Sequence, residues 1–204
     1  MTDAAFWDKA APKYARDPIS NMDAYLETLN RMKEILQPHH RVLEIGCGTG
    51  STGLDLAPGV DRYIGTDVSP KMIEIAQAKQ TPDTPTHLRF AVHPSDEIPA
   101  APHDVILALN LLHLVPDIEK TLDRVYEALP SGGLFIAKTP LLKEGKWFLR
   151  PAVTVMRAVG KAPFVHFLSA ADLSGLMQDA GFKVTETLTQ RGMASRIFTV
   201  AQKP

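Results

Sequence analysis

Val42-Leu43-Glu44-Ile45-Gly46-Cys47-Gly48-Thr49-Gly50 reads as a buried strand that runs straight into a glycine-rich turn. Val42, Leu43 and Ile45 suit a strand covered on both faces, as in a parallel sheet. Gly46, Gly48 and Gly50 let the backbone turn sharply and lie against a ligand where any Cβ would intrude. Such a turn opens a helix whose first N–H groups face the bound molecule. Two ligand classes compete for it. Gly48-Thr49-Gly50-Ser51-Thr52-Gly53 satisfies the dinucleotide pattern G-x-G-x-x-G, whereas Glu44-x-Gly46-x-Gly48-x-Gly50 points to a nucleoside without a pyrophosphate.

Register and charge favour the second. The dinucleotide pattern wants its first glycine at the strand end. The strand ends at Ile45, so Gly46 is that glycine, and Ser51 then stands where the third should be. Glu44 adds a carboxylate at the mouth, which repels a pyrophosphate but accepts from an amino group or faces a cationic ligand. The run E-I-G-C-G-T-G resembles motif I of the class I S-adenosylmethionine-dependent methyltransferases, whose ligand carries a sulfonium and an ammonium.

Composition bounds the rest. The chain has 204 residues, 45% apolar and 22% charged, which suits one soluble globular domain with a sizeable core. A formal net charge of −1 gives no electrostatic case for nucleic acid. Cys47 is the only cysteine, so no internal disulfide can form and a reducing cytoplasm is expected. Met1 to Asp8 lacks a basic region followed by an apolar run, so no signal peptide is expected there. No apolar stretch approaches the ~20 residues of a membrane span. The seven histidines show no ligand spacing with acids or cysteine, so no metal is expected.

Upstream of the glycine turn, residues 4–16 place Phe6, Trp7 and Tyr14 in a short helix or loop. These aromatics either fold over the cofactor, as a similar lead-in does in small methyltransferases, or cap the core. Ser20 or Asn21 then caps a helix running to about Leu36, with Tyr25, Leu29, Met32 and Leu36 on one face. Downstream, Ser51 to Ala57 make a short helix, and Arg62 to Val68 a second strand. Asp67 at its end, about twenty residues past the loop, is placed to accept from ribose hydroxyls or merely to cap the next turn. Ser69-Pro70 opens a helix with proline at its first position. Met72 on that helix matches a family position that packs an adenine edge, or belongs to the core.

Leu88 to Val92 form a third strand, after which the family pattern breaks: Pro94 stands where an adenine-binding aspartate is usual. Adenine recognition then passes to the Ser95 N–H or to Asp96. Asp104 to Asn110 form a central fourth strand, followed by Leu111-Leu112-His113-Leu114-Val115-Pro116-Asp117, which resembles the family's "LHHV.D" segment. Asn110 and His113 are therefore the polar candidates nearest the transferred methyl, His113 as a general base or as a positioning group. Asp117 to Leu129 form an amphipathic helix, and Leu134 to Thr139 a fifth strand. Residues 140–168 set Lys143, Lys146, Arg150, Arg157 and Lys161 against one acid, Glu144, among Trp147, Phe148, Val153, Met156, Val159, Phe164 and Phe167. Pro151 and Gly160 bracket a helix there. This stretch is a substrate cap that can also touch a membrane surface, or a connector whose apolar residues pack on the sheet edge. Ser169 caps a helix over 170–180, and Val184 to Thr189 with Ile197 to Gln202 make an antiparallel pair at the sheet edge.

The resemblance spans roughly residues 5–202, specific at motif I and Asp67 and weaker after Pro94. It implies an α/β, Rossmann-like, seven-stranded and mostly parallel sheet of order 3-2-1-4-5-7-6, with an antiparallel last strand and helices on both faces. One domain is expected over 1–204, with an N-terminal helical lid (1–37) and the cap at 140–168. S-adenosyl-L-methionine is the implied cofactor, held by Glu44, Gly46, Cys47, Gly48, Gly50, Asp67, Val68, Met72, Ser95, Asn110 and Tyr14. The overall pattern resembles the small-molecule branch of ubiquinone, menaquinone and lipid methyltransferases (methyltransferase type 11). The implied partner is a small, hydrophobic or amphiphilic methyl acceptor, with cytoplasmic location or peripheral membrane contact through 140–168. Two other readings stand beside it: a nicotinamide-dependent oxidoreductase using Gly48 to Gly53, and a non-catalytic module that binds the nucleoside.

Overall fold

The computed structural model describes residues 3–190 and 195–204. Met1 and Thr2 of the expected lid, and the side chain of Lys146 in the expected cap, lie outside the described residues. Strands β1 (Arg41–Ile45), β2 (Arg62–Asp67), β3 (Leu88–Val92), β4 (Val105–Leu109), β5 (Leu134–Pro140), β6 (Lys183–Gln190) and β7 (Arg196–Gln202) form one sheet of order β3-β2-β1-β4-β5-β7-β6. The first five are parallel, and β7 runs antiparallel to both β5 and β6. This is the expected order with the expected antiparallel edge.

Alternation along β1 assigns its side chains to opposite faces. Val42 enters a core with Leu29, Met32, Leu56 and Ile73, whereas Leu43 and Ile45 enter a second core with Leu122, Val125, Leu173 and Met177. The first face is covered by α2 (Met22–Ile35), α3 (Ser51–Leu56) and α4 (Pro70–Ala78); the second by α5 (Ile118–Ala128) and α8 (Ala170–Asp179). Caps fix where these helices begin. Asn21 accepts from the Ala24 N–H, Ser69 from Met72, Asp117 from Lys120, and Ser169 with Asp172 forms a capping box.

Several boundaries differ from the sequence reading for local reasons. The helix after the glycine turn ends at Leu56 and tightens into a 3-10 turn over Ala57–Gly59. Strand β4 starts at Val105, because Asp104 is held at the rim by both backbone and guanidinium of Arg41 at 2.7–2.9 Å. It stops at Leu109, because Asn110 turns into the left-handed region at φ 55°. Residues 4–16 lie within one helix, α1 (Asp3–Arg16), which packs on α4. The cap contains α6 (Lys143–Lys146), a 3-10 turn over Trp147–Leu149, and α7 (Arg150–Ala158), ended by Gly160 at φ 68°. No helix among the described residues is long and apolar enough to cross a membrane.

Candidate active site

The strand order reverses between β1 and β4, and the crevice beyond their carboxyl ends is where open α/β sheets bind ligands. The glycine turn fills one side of it. Gly46, Gly48 and Gly50 all take positive φ, at 66°, 54° and 76°. At Gly50 a Cβ would come within 2.7 Å of Ala76 and Phe90, so this glycine is fixed by packing. At Gly48 the nearest atom to a Cβ would be Cε1 of Tyr14, 3.8 Å away, so this glycine faces the crevice. Gly53, the third glycine of the dinucleotide pattern, lies in α3 against Tyr63, Phe90 and Leu88. It serves helix–sheet packing.

Two carboxylates meet this turn. Asp67, at the end of β2, accepts the Gly48 N–H at 3.0 Å and the Ser69 N–H at 2.9 Å. Burial raises its pKa, and those N–H bonds oppose the rise. Glu44 is not at the mouth, as the sequence suggested; it is 2% exposed. Strand alternation places it on the α2–α4 face, where the Tyr63 hydroxyl donates to it at 2.9 Å. Burial pushes its pKa up to about 7, the Tyr63 bond opposes this, and the charge of Asp67 adds to it. The hydrogen-bond partners of these acids are a phenol and backbone N–H groups. A cationic ligand at the crevice would therefore meet acids that, among the described residues, no side-chain cation neutralises, in a cradle shaped by Gly48. S-adenosylmethionine, with its sulfonium and ammonium, fits that donor set.

Other groups hold the cradle together, and sequence reasoning missed them. Oδ1 of Asp8, on α1, accepts from the Ser69 hydroxyl at 2.6 Å and the Lys71 N–H at 3.1 Å, pinning the N-terminal helix over the start of α4. These bonds lower the pKa of Asp8. Lys79 donates to the hydroxyls of Thr49 at 2.8 Å and Ser51 at 3.1 Å, bracing the turn from the end of α4. Tyr63 had a weak signal, as a hydroxyl-bearing residue in an apolar parallel strand. Asp8 and Lys79 had none.

The remaining sequence candidates are distributed unevenly. Cys47 is buried, its thiol pushed up by burial, and its N–H donates to Thr66. Val68 and Ser95 are half-buried at the ends of β2 and β3. Met72 is 2% exposed, which favours the core reading over an adenine contact. Asp96 is taken by Lys120 at 2.6 Å, and its carboxyl is lowered by that bond. Asn110 is exposed at the end of β4, its N–H donated to the Lys138 carbonyl at 2.7 Å. Strain of this kind in a non-glycine residue clusters at functional sites.

His113 lies on a 3-10 turn over Leu112–Leu114 just past β4. Its carbonyl accepts the His166 N–H at 2.7 Å, so the cap is joined to this turn. Its Nδ1 is buried without a partner among the described residues, and burial, then Arg196 and His166, push its pKa down to about 4. The imidazole is neutral at physiological pH, able to accept a hydrogen bond but weak as a base. In the cap, Trp147 is 69% exposed, Phe148 60% and Val155 65%, so these side chains do not pack on the sheet edge.

The family model described as "Methyltransferase domain" matches residues 15–187. The chain belongs to the methyltransferase family. Polyketide synthase PksR of Bacillus subtilis is 30% identical over 67% of this chain, which spans 6% of that protein. The methyltransferase YcgJ of the same organism is 27% identical over 67% of this chain and 54% of its own. The crystal structure of YcgJ superposes with a TM-score of 0.72 and 17% identity, covering 87% of this chain and 98% of that one. The ubiquinone biosynthesis O-methyltransferase of Azorhizobium caulinodans is 27% identical over 90% of this chain and 78% of its own. By family the chain is thus an S-adenosylmethionine-dependent methyltransferase, and the oxidoreductase reading gives way. The glycine match from Gly48 to Gly53 is a packing coincidence.

Proposed function

We propose that this methyltransferase acts on a small hydrophobic or amphiphilic acceptor, quinone-, phenol- or lipid-like, by in-line displacement. The observation that carries this is the cap, whose aromatic and aliphatic side chains at Trp147, Phe148, Val155 and Val159 stand exposed in a segment joined to the His113 turn through the His166 N–H. Relatives named for polyketide synthesis and ubiquinone biosynthesis fit an acceptor of that kind. S-adenosylmethionine, when bound, supplies a methyl already activated on a sulfonium, so the protein's work is positioning and exclusion of water. Glu44, the turn from Gly46 to Gly50 and the Cys47 backbone bind its amino-acid end, and Asp67 with Val68 its ribose. Tyr14 on α1 covers Gly48 as part of a lid over 1–37. Ser95 offers its backbone at the adenine end, where Pro94 offers no side-chain acceptor. Asn110 orients the acceptor, and neutral His113 accepts its hydrogen bond at the buried Nδ1 edge.

Calorimetric titration with S-adenosylhomocysteine, comparing wild type with Asp67→Ala, tests the cofactor assignment. Wild type binds and the variant loses at least about tenfold; failure of wild type to bind sinks it. Turnover with a panel of phenols, quinols and amphiphiles tests the acceptor class, and activity confined to polar amines or peptides would refute it.

A second reading concerns location. The exposed apolar residues of the cap lie among Lys143, Arg150, Arg157 and Lys161, a pattern that suits the surface of an anionic bilayer. Co-sedimentation with phosphatidylglycerol vesicles, lost in a Trp147→Ser, Phe148→Ser double variant, would support it. No sedimentation of wild type would end it.

A further inference from the structure

Helix α7 is turned against the usual habit of a surface helix. Val155 and Met156 are 65% and 45% exposed on one side. Arg150, Thr154 and Arg157 fall at i, i+4 and i+7, the spacing of a single helical face. That face lines a cavity of about 270 Å³, walled opposite by Phe164, His166 and Phe167. The apolar side thus meets solvent alone, whereas the cationic side, itself exposed, lines an open cavity.

Neither arginine has an acid partner among the described residues. The acid within the cap, Glu144, accepts the Ala170 N–H at 2.9 Å instead. The Arg157 guanidinium lies 4.6 Å from the centre of the Phe164 ring, and that of Arg150 lies 6.0 Å from Phe167. A guanidinium stacked in this way keeps its N–H fork free for an oxyanion. Phenylalanine rings beside it favour an apolar body attached to that oxyanion. The cavity is a little under the ~300 Å³ at which small-molecule sites begin, so it suits one end of a molecule. Its wall continues to the catalytic region, because the His166 N–H donates to the His113 carbonyl at 2.7 Å. The Nε2 of His166 is a buried atom with no partner among the described residues.

We infer that this cavity binds the anionic end, a carboxylate or phosphate on an aromatic or short apolar body, of the methyl acceptor. The inference rests on the proposed apolar or amphiphilic acceptor and narrows it to one carrying a negative charge remote from the methylated atom. Arg150 and Arg157 supply the charge recognition, and Phe164 and Phe167 the apolar contact.

The test is calorimetric titration of benzoate, phenyl phosphate and uncharged methyl benzoate into wild type, Arg150→Gln, Arg157→Gln and Lys161→Gln. Lys161 is an exposed cation outside the cavity wall. Benzoate or phenyl phosphate binds wild type, and methyl benzoate binds at least about tenfold more weakly. Each arginine variant weakens the anion by about tenfold, and the lysine variant leaves it unchanged. The stronger of the two anions tells carboxylate from phosphate. Absence of binding, equal binding of all three probes, or an equal effect at Lys161 overturns the inference. So does loss of phosphatidylglycerol vesicle binding in the arginine variants with benzoate affinity unchanged, which would give these arginines to a membrane surface. S-adenosylhomocysteine titrated into the same samples separates the failures. Retained binding there with no anion binding refutes the cavity's ligand alone, and turnover of uncharged apolar acceptors would leave the proposed acceptor class standing.

Discussion

Glu44→Gln removes the buried charge of the proposed cofactor site while keeping an oxygen to accept from Tyr63. Burial raises the Glu44 pKa from 4.5 to about 7, and each pKa unit is worth ~1.36 kcal/mol, so its ionised form costs the folded state about 3 kcal/mol. The folded protein holds this proton more tightly than the unfolded chain. Stability therefore falls as pH rises through the window from 4.5 to about 7, and the full cost applies above it. Without cofactor, the variant should be the more stable protein at pH 8, by about 3 kcal/mol or roughly 6–12 °C in Tm. At pH 5 the advantage should shrink to about 1 kcal/mol or less. Scanning calorimetry of both proteins at the two pH values measures this. The same substitution should weaken S-adenosylmethionine by at least about tenfold, since the cation loses its buried counter-charge. Wild-type affinity should itself rise by about tenfold between pH 6 and pH 8, as Glu44 ionises. A variant less stable than wild type at pH 8, or a difference independent of pH, would refute the argument that an unneutralised buried carboxylate organises the site.

Gly50→Ala should cost about 2–5 kcal/mol in denaturant unfolding, because its Cβ would meet Ala76 and Phe90 at 2.7 Å in a left-handed backbone. Gly48→Ala should cost only the ~1–2 kcal/mol of its backbone and lose S-adenosylhomocysteine affinity instead; equal stability losses would contradict the distinction. Asp8→Ala should free α1 from α4, speeding amide exchange over residues 3–16 by about fivefold for ~1 kcal/mol while β1 and β4 keep their protection. His113→Gln should lower kcat/KM without changing the shape of the pH profile between pH 6 and pH 8, since the imidazole stays neutral there. An acid limb near pH 6.5 in wild type that the variant abolishes would show His113 working as a base.

The parallel sheet was legible from strand–helix alternation, its order from what the resemblance at motif I implies, and the helix starts at Asn21, Ser69, Asp117 and Ser169 from local spacing. Asp67 was placed correctly at a strand end. Glu44 was placed at the mouth because a sequence gives a strand residue's parity but not which face the partner strand covers. Here Tyr63, across from Val42 in the β1–β2 register, closes over it. Asp8 and Lys79 act across long sequence separations, from α1 to Ser69 and from the end of α4 back to the glycine turn, and neither carries a local signal. In the cap, the sequence displayed basic and apolar residues together. Only the placement of α7 beside 164–167 tells which of them line the cavity.

That placement gives the molecule two regions of opposite preference. Around the glycine turn stand Glu44, Asp67 and Asp8, with Lys79 turned to the hydroxyls of Thr49 and Ser51. At the cap cavity stand Arg150 and Arg157, with Glu144 turned to Ala170. If the acceptor is the anionic one inferred above, a cationic methyl donor would be drawn to the first and repelled by the second, and the acceptor the reverse, so charge would sort the two ligands before shape contributes. The thioether left after transfer lacks the sulfonium charge, which weakens its attraction to the acidic side. Rising ionic strength should therefore weaken S-adenosylmethionine more than S-adenosylhomocysteine, a comparison calorimetry can make directly. Equal salt dependence of the two would mean that shape, not charge, holds the donor.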